Sequence, residues 1–346
     1  MQRVSASARK NGFSQDIRDT RMFRTPPGMT RLALCWLSRL VMPVVLALCA
    51  GPAFAQRPPA PPLTAQPQWI TPAASGPGLV QGTFESRAAG AAVSYHIYIP
   101  PGYASEPGRR FPVIYWLHGS GGGISGVAPL ARQFDGAIRA SLTPPALIVF
   151  INGLAQGMYV DWKDGTRPIE TIIISELIPH IDSTWRTIPQ REGRLIEGFS
   201  MGGYGAARLG FKFPELFGAV SLLGAGPLQA DLTRDAPRAN EARASDLMTR
   251  VYGGDQAYFE AVSPLRMARI NAEALAADTR VRIVIGERDE TYSNNVAFHQ
   301  ELERLAIPHA WTTLPGVGHD PMATLTALGR ARWDFYTEAF ASTALP

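Results

Sequence analysis

The sequence predicts an α/β protein: a mostly parallel central sheet with helices on both faces and an insertion ahead of its second-last strand. Three observations carry this. The runs Pro112–Leu117, Ala146–Ile151, Phe217–Leu223 and Val281–Ile285 are dense in apolar and β-favouring residues, as strands buried on both faces require. Helical patterns lie between them, the rhythm of a sheet built by crossover connections. A glycine-bounded turn, Gly198-Phe199-Ser200-Met201-Gly202, joins a short apolar stretch, Arg194–Glu197, to a helix-like run, Gly203–Leu209.

The elements follow in order. Residues 1–55 read as a leader, and 56–75 as a Pro-rich spacer around Arg57-Pro58-Pro59-Ala60-Pro61-Pro62. The body, 76–346, shows no internal repeat and is expected to be one domain. Alternation in Val93–Ile99 predicts a half-exposed antiparallel strand at the sheet edge, ended by Pro100-Pro101-Gly102. A helix is predicted over 168–185, with Pro168 in its first turn and Ile169, Ile172, Ile173, Leu177 and Ile181 at helical spacing. Pro179 should bend or interrupt it. Two further helices are expected at 291–305 and 323–340, with a last short strand starting at His309. The stretch 227–280 breaks the strand–helix rhythm. It is either a cap that shapes a pocket at the carboxyl edge of the sheet or a plain surface excursion.

Composition narrows the function classes. Of 346 residues, 46% are hydrophobic and 18% charged, ordinary for a globular protein. The formal charge of +4 comes from 33 basic and 29 acidic residues. The leader holds eight of the basic and two of the acidic ones, which leaves 25 against 27, a net of −2, for the rest. The body therefore offers no electrostatic reason to expect nucleic acid.

The leader reads as an export signal. Arg31 and Arg39 precede the apolar run Leu40–Leu48, and Ala53-Phe54-Ala55 supplies a small-x-small cleavage site. A start at Met29 instead of Met1 would leave a compact signal peptide. The apolar run is short for a bilayer span, and the mature chain is expected to be periplasmic or secreted, with no transmembrane segment. Both cysteines, Cys35 and Cys49, fall in the leader, so thiolate chemistry and disulfides are excluded from the mature chain.

The chemistry starts at Ser200. Gly-x-Ser-x-Gly between a strand and a helix forms a sharp turn that exposes the serine. A Cβ two residues before or after it should collide with the neighbouring strand or helix. A serine hydroxyl needs a base, and the base an orienting carboxylate. If the chain order is serine, acid, histidine, only His299, His309 and His319 remain as bases. His299 falls inside a predicted helix and His309 starts a strand. His319 follows that strand in the loop Leu314-Pro315-Gly316-Val317-Gly318-His319-Asp320, from which an imidazole can lean over the sheet edge. The acid is sought after strand 281–285, in Gly286-Glu287-Arg288-Asp289-Glu290. Asp289 is preferred because the loop turns back into a helix there. Glu287 and Glu290 are read as solvated or as helix N-terminal charges, and a helix cap is the competing role for Asp289 itself.

An oxyanion needs two N–H donors. The Met201 amide follows the nucleophile at a helix N-terminus, and Ser120 lies in His118-Gly119-Ser120-Gly121-Gly122-Gly123 after an early strand. His118 is read as fixing that loop. The glycines fit neither a phosphate-binding loop nor a dinucleotide fingerprint. No metal-binding motif is present, and no cofactor is expected. Tyr159, Asp161 and Trp162 are candidates either for a substrate pocket or for loop packing.

With these residues assembled, the chain resembles the putative-esterase family of α/β-hydrolases. That family includes feruloyl and acetyl-xylan esterases, enterochelin esterases, S-formylglutathione hydrolases and mycolyltransferases. The resemblance covers about Val93 to Tyr336. It rests on Ile99-Pro100-Pro101-Gly102-Tyr103, Leu117–Gly122, Glu170–Ile181, Glu197–Ala206, Phe213-Pro214-Glu215-Leu216-Phe217 and Gly316–Asp320. It implies a Ser200, Asp289, His319 triad, oxyanion donors at Ser120 and Met201, and a small-molecule or oligosaccharide ester as substrate. An exported chain without cysteine is more similar to the secreted carbohydrate-ester and siderophore-ester hydrolases than to the cytosolic formylglutathione branch. Transfer to an alcohol acceptor and ligand binding without catalysis are the alternatives.

Overall fold

The computed structural model describes residues 66–343. The leader with its signal features, and the first part of the spacer, lie outside the described residues. Eight strands, β1 (Leu79–Ser86), β2 (Ala91–Tyr98), β3 (Val113–Leu117), β4 (Leu147–Ile151), β5 (Arg194–Phe199), β6 (Ala219–Leu223), β7 (Arg280–Gly286) and β8 (His309–Leu314), form one sheet in the order β1-β2-β4-β3-β5-β6-β7-β8. The pairs β1/β2 and β2/β4 are antiparallel, and all others are parallel.

Every residue of β3, β4, β5 and β6 is buried, which is why β3 and β4 read as unbroken apolar runs and why the polar residues of β5 and β6 are buried too. Alternate residues feed opposite faces. Val113, Tyr115 and Leu117 pack with helices α2 (169–184) and α3 (Met201–Lys212), whereas Ile114 and Trp116 pack with α1 (Ile124–Arg139). From β3 the chain crosses to β4 on one side, and from β5 it crosses to β6 on the other. The loops after β3 and β5 thus diverge at the carboxyl edge of two paired strands, where open α/β sheets form their crevice.

The structure departs from the sequence-based expectations in four places. Strand β1 was not expected. Its Gly82 faces Tyr95, whose ring would lie 2.3 Å from a Cβ there, so the strand carries a glycine where a side chain would have marked it. As a result β2 is neither the edge nor half-exposed, and its last six residues are buried. Residues 66–75, grouped with the spacer on composition, are docked on the sheet edge. Trp69 is buried, its carbonyl accepts from the Ser94 N–H at 2.9 Å, and the Ala74 N–H donates to His96 Nε2 at 3.2 Å.

The α-helical pattern of α2 is interrupted next to Pro179, as expected, and then resumes. A π-helical stretch at Ile172–Leu177 widens the turn, and the Ile178 N–H reaches back to Ile173 O. The expected 323–340 helix is two, α9 (Pro321–Leu328) and α10 (Arg330–Ala339), parted at Gly329 with φ +52°. The helix after β7, α8 (Tyr292–Arg304), matches expectation.

The insertion before β7 folds into four short helices, α4 (Glu241–Arg250), α5 (Gln256–Val262), α6 (Pro264–Ile270) and α7 (Ala272–Asp278). Asp255 and Ser263 cap α5 and α6 through the N–H groups of Tyr258 and Arg266. Helix α6 packs on α3, and Arg208 of α3 donates to Val262 O at 2.8 Å. The insertion thus flanks the helix that follows Ser200. Among the described residues, no helix is long and apolar enough to cross a membrane.

Candidate active site

Ser200 directly follows β5 in a conformation few L-residues adopt, φ +59° and ψ −119°. The chain can make this turn only because Gly198 and Gly202, two residues to either side, lack side chains. A Cβ at Gly198 would stand 2.3 Å from Gly202 backbone atoms, and one at Gly202 would stand 2.0 Å from Leu117 O. The Ser200 N–H donates to Leu223 O at 3.0 Å, and its carbonyl accepts from Gly226 N–H at 3.2 Å, so both peptide groups are held.

His319 Nε2 lies 2.8 Å from Ser200 Oγ, and its Nδ1 lies 2.7 Å from Asp289 Oδ2. The structure brings together the three side chains that chain order and loop position had singled out. An ionised carboxylate only accepts, so Nδ1 carries the ring proton and Nε2 turns its lone pair to the serine hydroxyl. The loops bearing the ring and the acid are tied together. Arg288 N–H donates to Val317 O at 2.9 Å, Glu287 N–H to Leu314 O at 3.0 Å, and Gly316 N–H to Glu287 Oε2 at 3.0 Å. The Phe199 ring packs against the imidazole at 4.8 Å between centroids.

Of the three loop carboxylates, Asp289 is buried while Glu287 and Glu290 are exposed. Its Oδ1 accepts from the N–H and the hydroxyl of Thr291, both at 2.8 Å. Asp289 thus orders its own loop with one oxygen and orients the imidazole with the other. Burial alone would raise its pKa, but the hydrogen bonds from His319 and Thr291 outweigh it and hold the carboxyl below the usual range.

The His118–Gly123 loop lies against the nucleophile turn. A Cβ at Gly119 would be 3.4 Å from Ser200 Cβ. His118 anchors the loop: Nε2 accepts from Gly153 N–H at 3.2 Å, so Nδ1 bears the proton and donates to Gly119 O at 2.7 Å. Burial pushes its pKa down, which keeps the ring neutral. Ser120 is buried, and Met201 opens α3, where its N–H has no intrahelical acceptor. A contact that no motif announces comes from the insertion: Arg243 Nη2 donates to Ser120 Oγ.

Tyr159 and Asp161 have the contacts of loop packing. Tyr159 is fully buried, its hydroxyl donates to His118 O at 2.9 Å, and its ring covers Gly153 and Gly205. Asp161 accepts from the N–H and hydroxyl of Thr171 at the start of α2, at 3.0 and 2.6 Å. Trp162 lines a cavity of about 250 Å³ beside the glycine loop, shared with Trp116, His118, Phe150 and Gly121. Neither Ser200 nor His319 is in its wall.

Among the described residues, Asp289, Glu290 and His319 present ligand-type atoms within 4.8 Å of one another. Both Asp289 oxygens and both His319 nitrogens already hold hydrogen bonds, so a cation there would have to break the chain from Ser200 to Asp289.

The sheet order, the elbow at Ser200 and the divergent loops define an α/β-hydrolase. A family model described as "Putative esterase" matches residues 86–320, and the chain belongs to that family. Esterase Rv1288 of Mycobacterium tuberculosis is 30% identical over 259 residues, 68% of this chain and 54% of that protein. The endo-1,4-beta-xylanase/feruloyl esterase of Xylanibacter ruminicola is 31% identical over 173 residues, 46% of this chain and 23% of that one. The chain thus spans about half the length, or less, of these relatives. Among solved structures, a ferulic acid esterase superposes with a TM-score of 0.62 at 20% identity, covering 76% of this chain and 98% of its own, a likeness of fold.

Proposed function

We propose that this protein is an exported serine carboxylic-ester hydrolase that works through an acyl-enzyme. The observation that carries the reading is the unbroken hydrogen-bonded chain Ser200 Oγ–His319–Asp289, set beside a glycine loop and a helix N-terminus. Nε2 of His319 takes the hydroxyl proton as Oγ attacks the ester carbonyl, and Asp289 stabilises the imidazolium that forms. The Ser120 and Met201 N–H groups receive the oxyanion. The imidazolium gives its proton to the leaving alkoxide as the C–O bond breaks, leaving the acyl group on Ser200. Water, deprotonated by the same nitrogen, then releases the acid and restores the hydroxyl.

The substrate class is proposed to be carbohydrate-linked or aromatic acyl esters. Family membership supports ester chemistry, and a relative and a solved neighbour named feruloyl or ferulic acid esterases support an aromatic acyl group. The leader supports export. The test is hydrolysis of p-nitrophenyl acetate, acetylated sugars and feruloyl esters by the wild type and Ser200→Ala. Turnover should fall by about three powers of ten or more in the variant with its fold intact. Unchanged turnover in Ser200→Ala would refute the reading.

A further inference from the structure

We propose that Arg243, on the first helix of the insertion, is a positioning residue that orients the Ser120 amide for the oxyanion, so that the insertion takes part in catalysis. This rests on the hydrolase reading above.

The argument begins with the loop. In Gly119-Ser120-Gly121-Gly122-Gly123, Ser120 is the one residue with a side chain. Glycines let the backbone approach a substrate closely, but they also widen the range of peptide orientations open to it. An oxyanion donor is effective only when its N–H already points where the charge will develop. A loop of this composition can be held from within at two kinds of point, a backbone group or the Ser120 hydroxyl. Two backbone groups are held: Gly119 O, in the same peptide unit as the Ser120 N–H, accepts from His118 Nδ1 at 2.7 Å, and the Gly121 N–H donates to Ala155 O at 2.7 Å. The hydroxyl is held by the Arg243 guanidinium.

The arginine is itself held by its helix. Ala244, Leu247 and Met248 bury the inner face of α4. Just after the helix, Val251 O accepts from Lys163 N–H at 3.0 Å. The fully buried Tyr252 donates its hydroxyl to that of Tyr204 at 3.2 Å, and Tyr204 lies one helical turn after Ser200. The segment that presents Arg243 is therefore fastened to the same helix as the nucleophile. Guanidinium only donates and keeps its charge across the working pH range, so the contact has one polarity: Arg243 donates and Ser120 Oγ accepts. A fixed positive charge beside the loop also favours the developing oxyanion over the neutral ester.

The experiment is a double-mutant cycle on Arg243→Ala and Ser120→Ala, with Arg243→Lys as a conservative variant, using p-nitrophenyl acetate. Ser120→Ala removes only the hydroxyl and leaves the backbone N–H in place. Since losing a whole donor lowers kcat by roughly 10²–10³, misaiming one should lower it by about tenfold to a hundredfold, with KM changed less than about threefold. The double variant should be no slower than the slower single one, because both changes break the same contact. Added guanidinium ion should restore part of kcat in Arg243→Ala but none in the double variant, a response that a general loss of folding would not give. Melting temperatures of the variants should stay close to that of the wild type. Retention of kcat within about twofold in Arg243→Ala, or losses that multiply in the double variant, would overturn the proposal. Wild type and Ser200→Ala run alongside separate the two readings. A wild type without turnover removes the hydrolase reading and this one together, whereas a wild type and Arg243→Ala that are equally active remove only the role of Arg243.

Discussion

Glu197 and Arg282 meet at 2.6 Å with both side chains closed to solvent, three residues ahead of Ser200 on the strand that carries it. Ser221 donates to the same Glu197 oxygen at 2.6 Å and Tyr336 to the other at 2.6 Å, so strands β5, β6 and β7 and helix α10 converge on one carboxylate. Removing one partner of such a pair leaves an uncompensated buried charge. Glu197→Gln and Arg282→Met should each cost about 3–5 kcal/mol, read from urea midpoints. Replacing both by apolar residues should cost less than the sum of the single changes, because neither charge is then stranded.

Gly202→Ala should be among the most damaging single-methyl changes in the chain. Its Cβ would stand 2.0 Å from the Leu117 carbonyl oxygen, and the obstacle is backbone, which cannot rotate away. The expected outcome is loss of activity together with destabilisation of more than about 3 kcal/mol, measured by denaturation and by turnover. By contrast, Gly122→Ala meets no atom within 4 Å, and its penalty comes only from φ +91°. Alanine there should be the milder of the two.

Asp289→Asn keeps the size of the side chain and removes its charge. An amide that turns its N–H₂ toward His319 Nδ1 stabilises the tautomer with the proton on Nε2, which then cannot accept from Ser200. Turnover of p-nitrophenyl acetate should drop by roughly 10⁴ while circular dichroism stays unchanged. A loss of only a fewfold would reassign the acid.

The pH dependence of stability should carry a signature of Glu301. Hydrogen bonds from Arg304, and then from Arg269, lower its pKa from 4.5 to about 2 against the opposing effect of burial. A depressed carboxylate contributes stability that is complete above its unfolded value and drains away as pH falls through its folded value. The wild type should therefore exceed Glu301→Gln most above about pH 5, with the gap closing between pH 4.5 and 2, as followed by urea midpoints. A gap that widens toward acid would contradict the assignment.

How much of this was legible in the sequence depended on what each residue had to announce. Strands β3 to β7 lie inside the sheet, so apolar residues dominate them, and Glu197, Ser221 and Arg282 interrupt the pattern where they bond one another. Strand β1 was hidden by Gly82, whose missing side chain makes room for the Tyr95 ring. The docked segment around Trp69 was masked by prolines and alanines that otherwise read as spacer. Ser200 was legible because its backbone strain forces glycine on both sides, and His319 and Asp289 because chain order left few rivals. Burial separated Asp289 from Glu287 and Glu290, and burial is not visible in a loop of alternating charges. Tyr159 and Asp161 stayed ambiguous for a related reason, since aromatic and acidic residues near a site serve equally well as scaffold. Arg243 was beyond reach. It lies in helices of seven to ten residues with no motif, and it meets Ser120 across 123 positions of sequence.

The central claim is that the Ser200 hydroxyl is made nucleophilic by the His319 ring and becomes acylated during turnover. Intact-mass spectrometry after a brief exposure to p-nitrophenyl acetate, followed by peptide mapping, tests it most directly. The account predicts a single acetyl group on Ser200 in the wild type and essentially none in His319→Ala at the same exposure. Acetylation at another residue, or equal labelling of Ser200 without the imidazole, would contradict it.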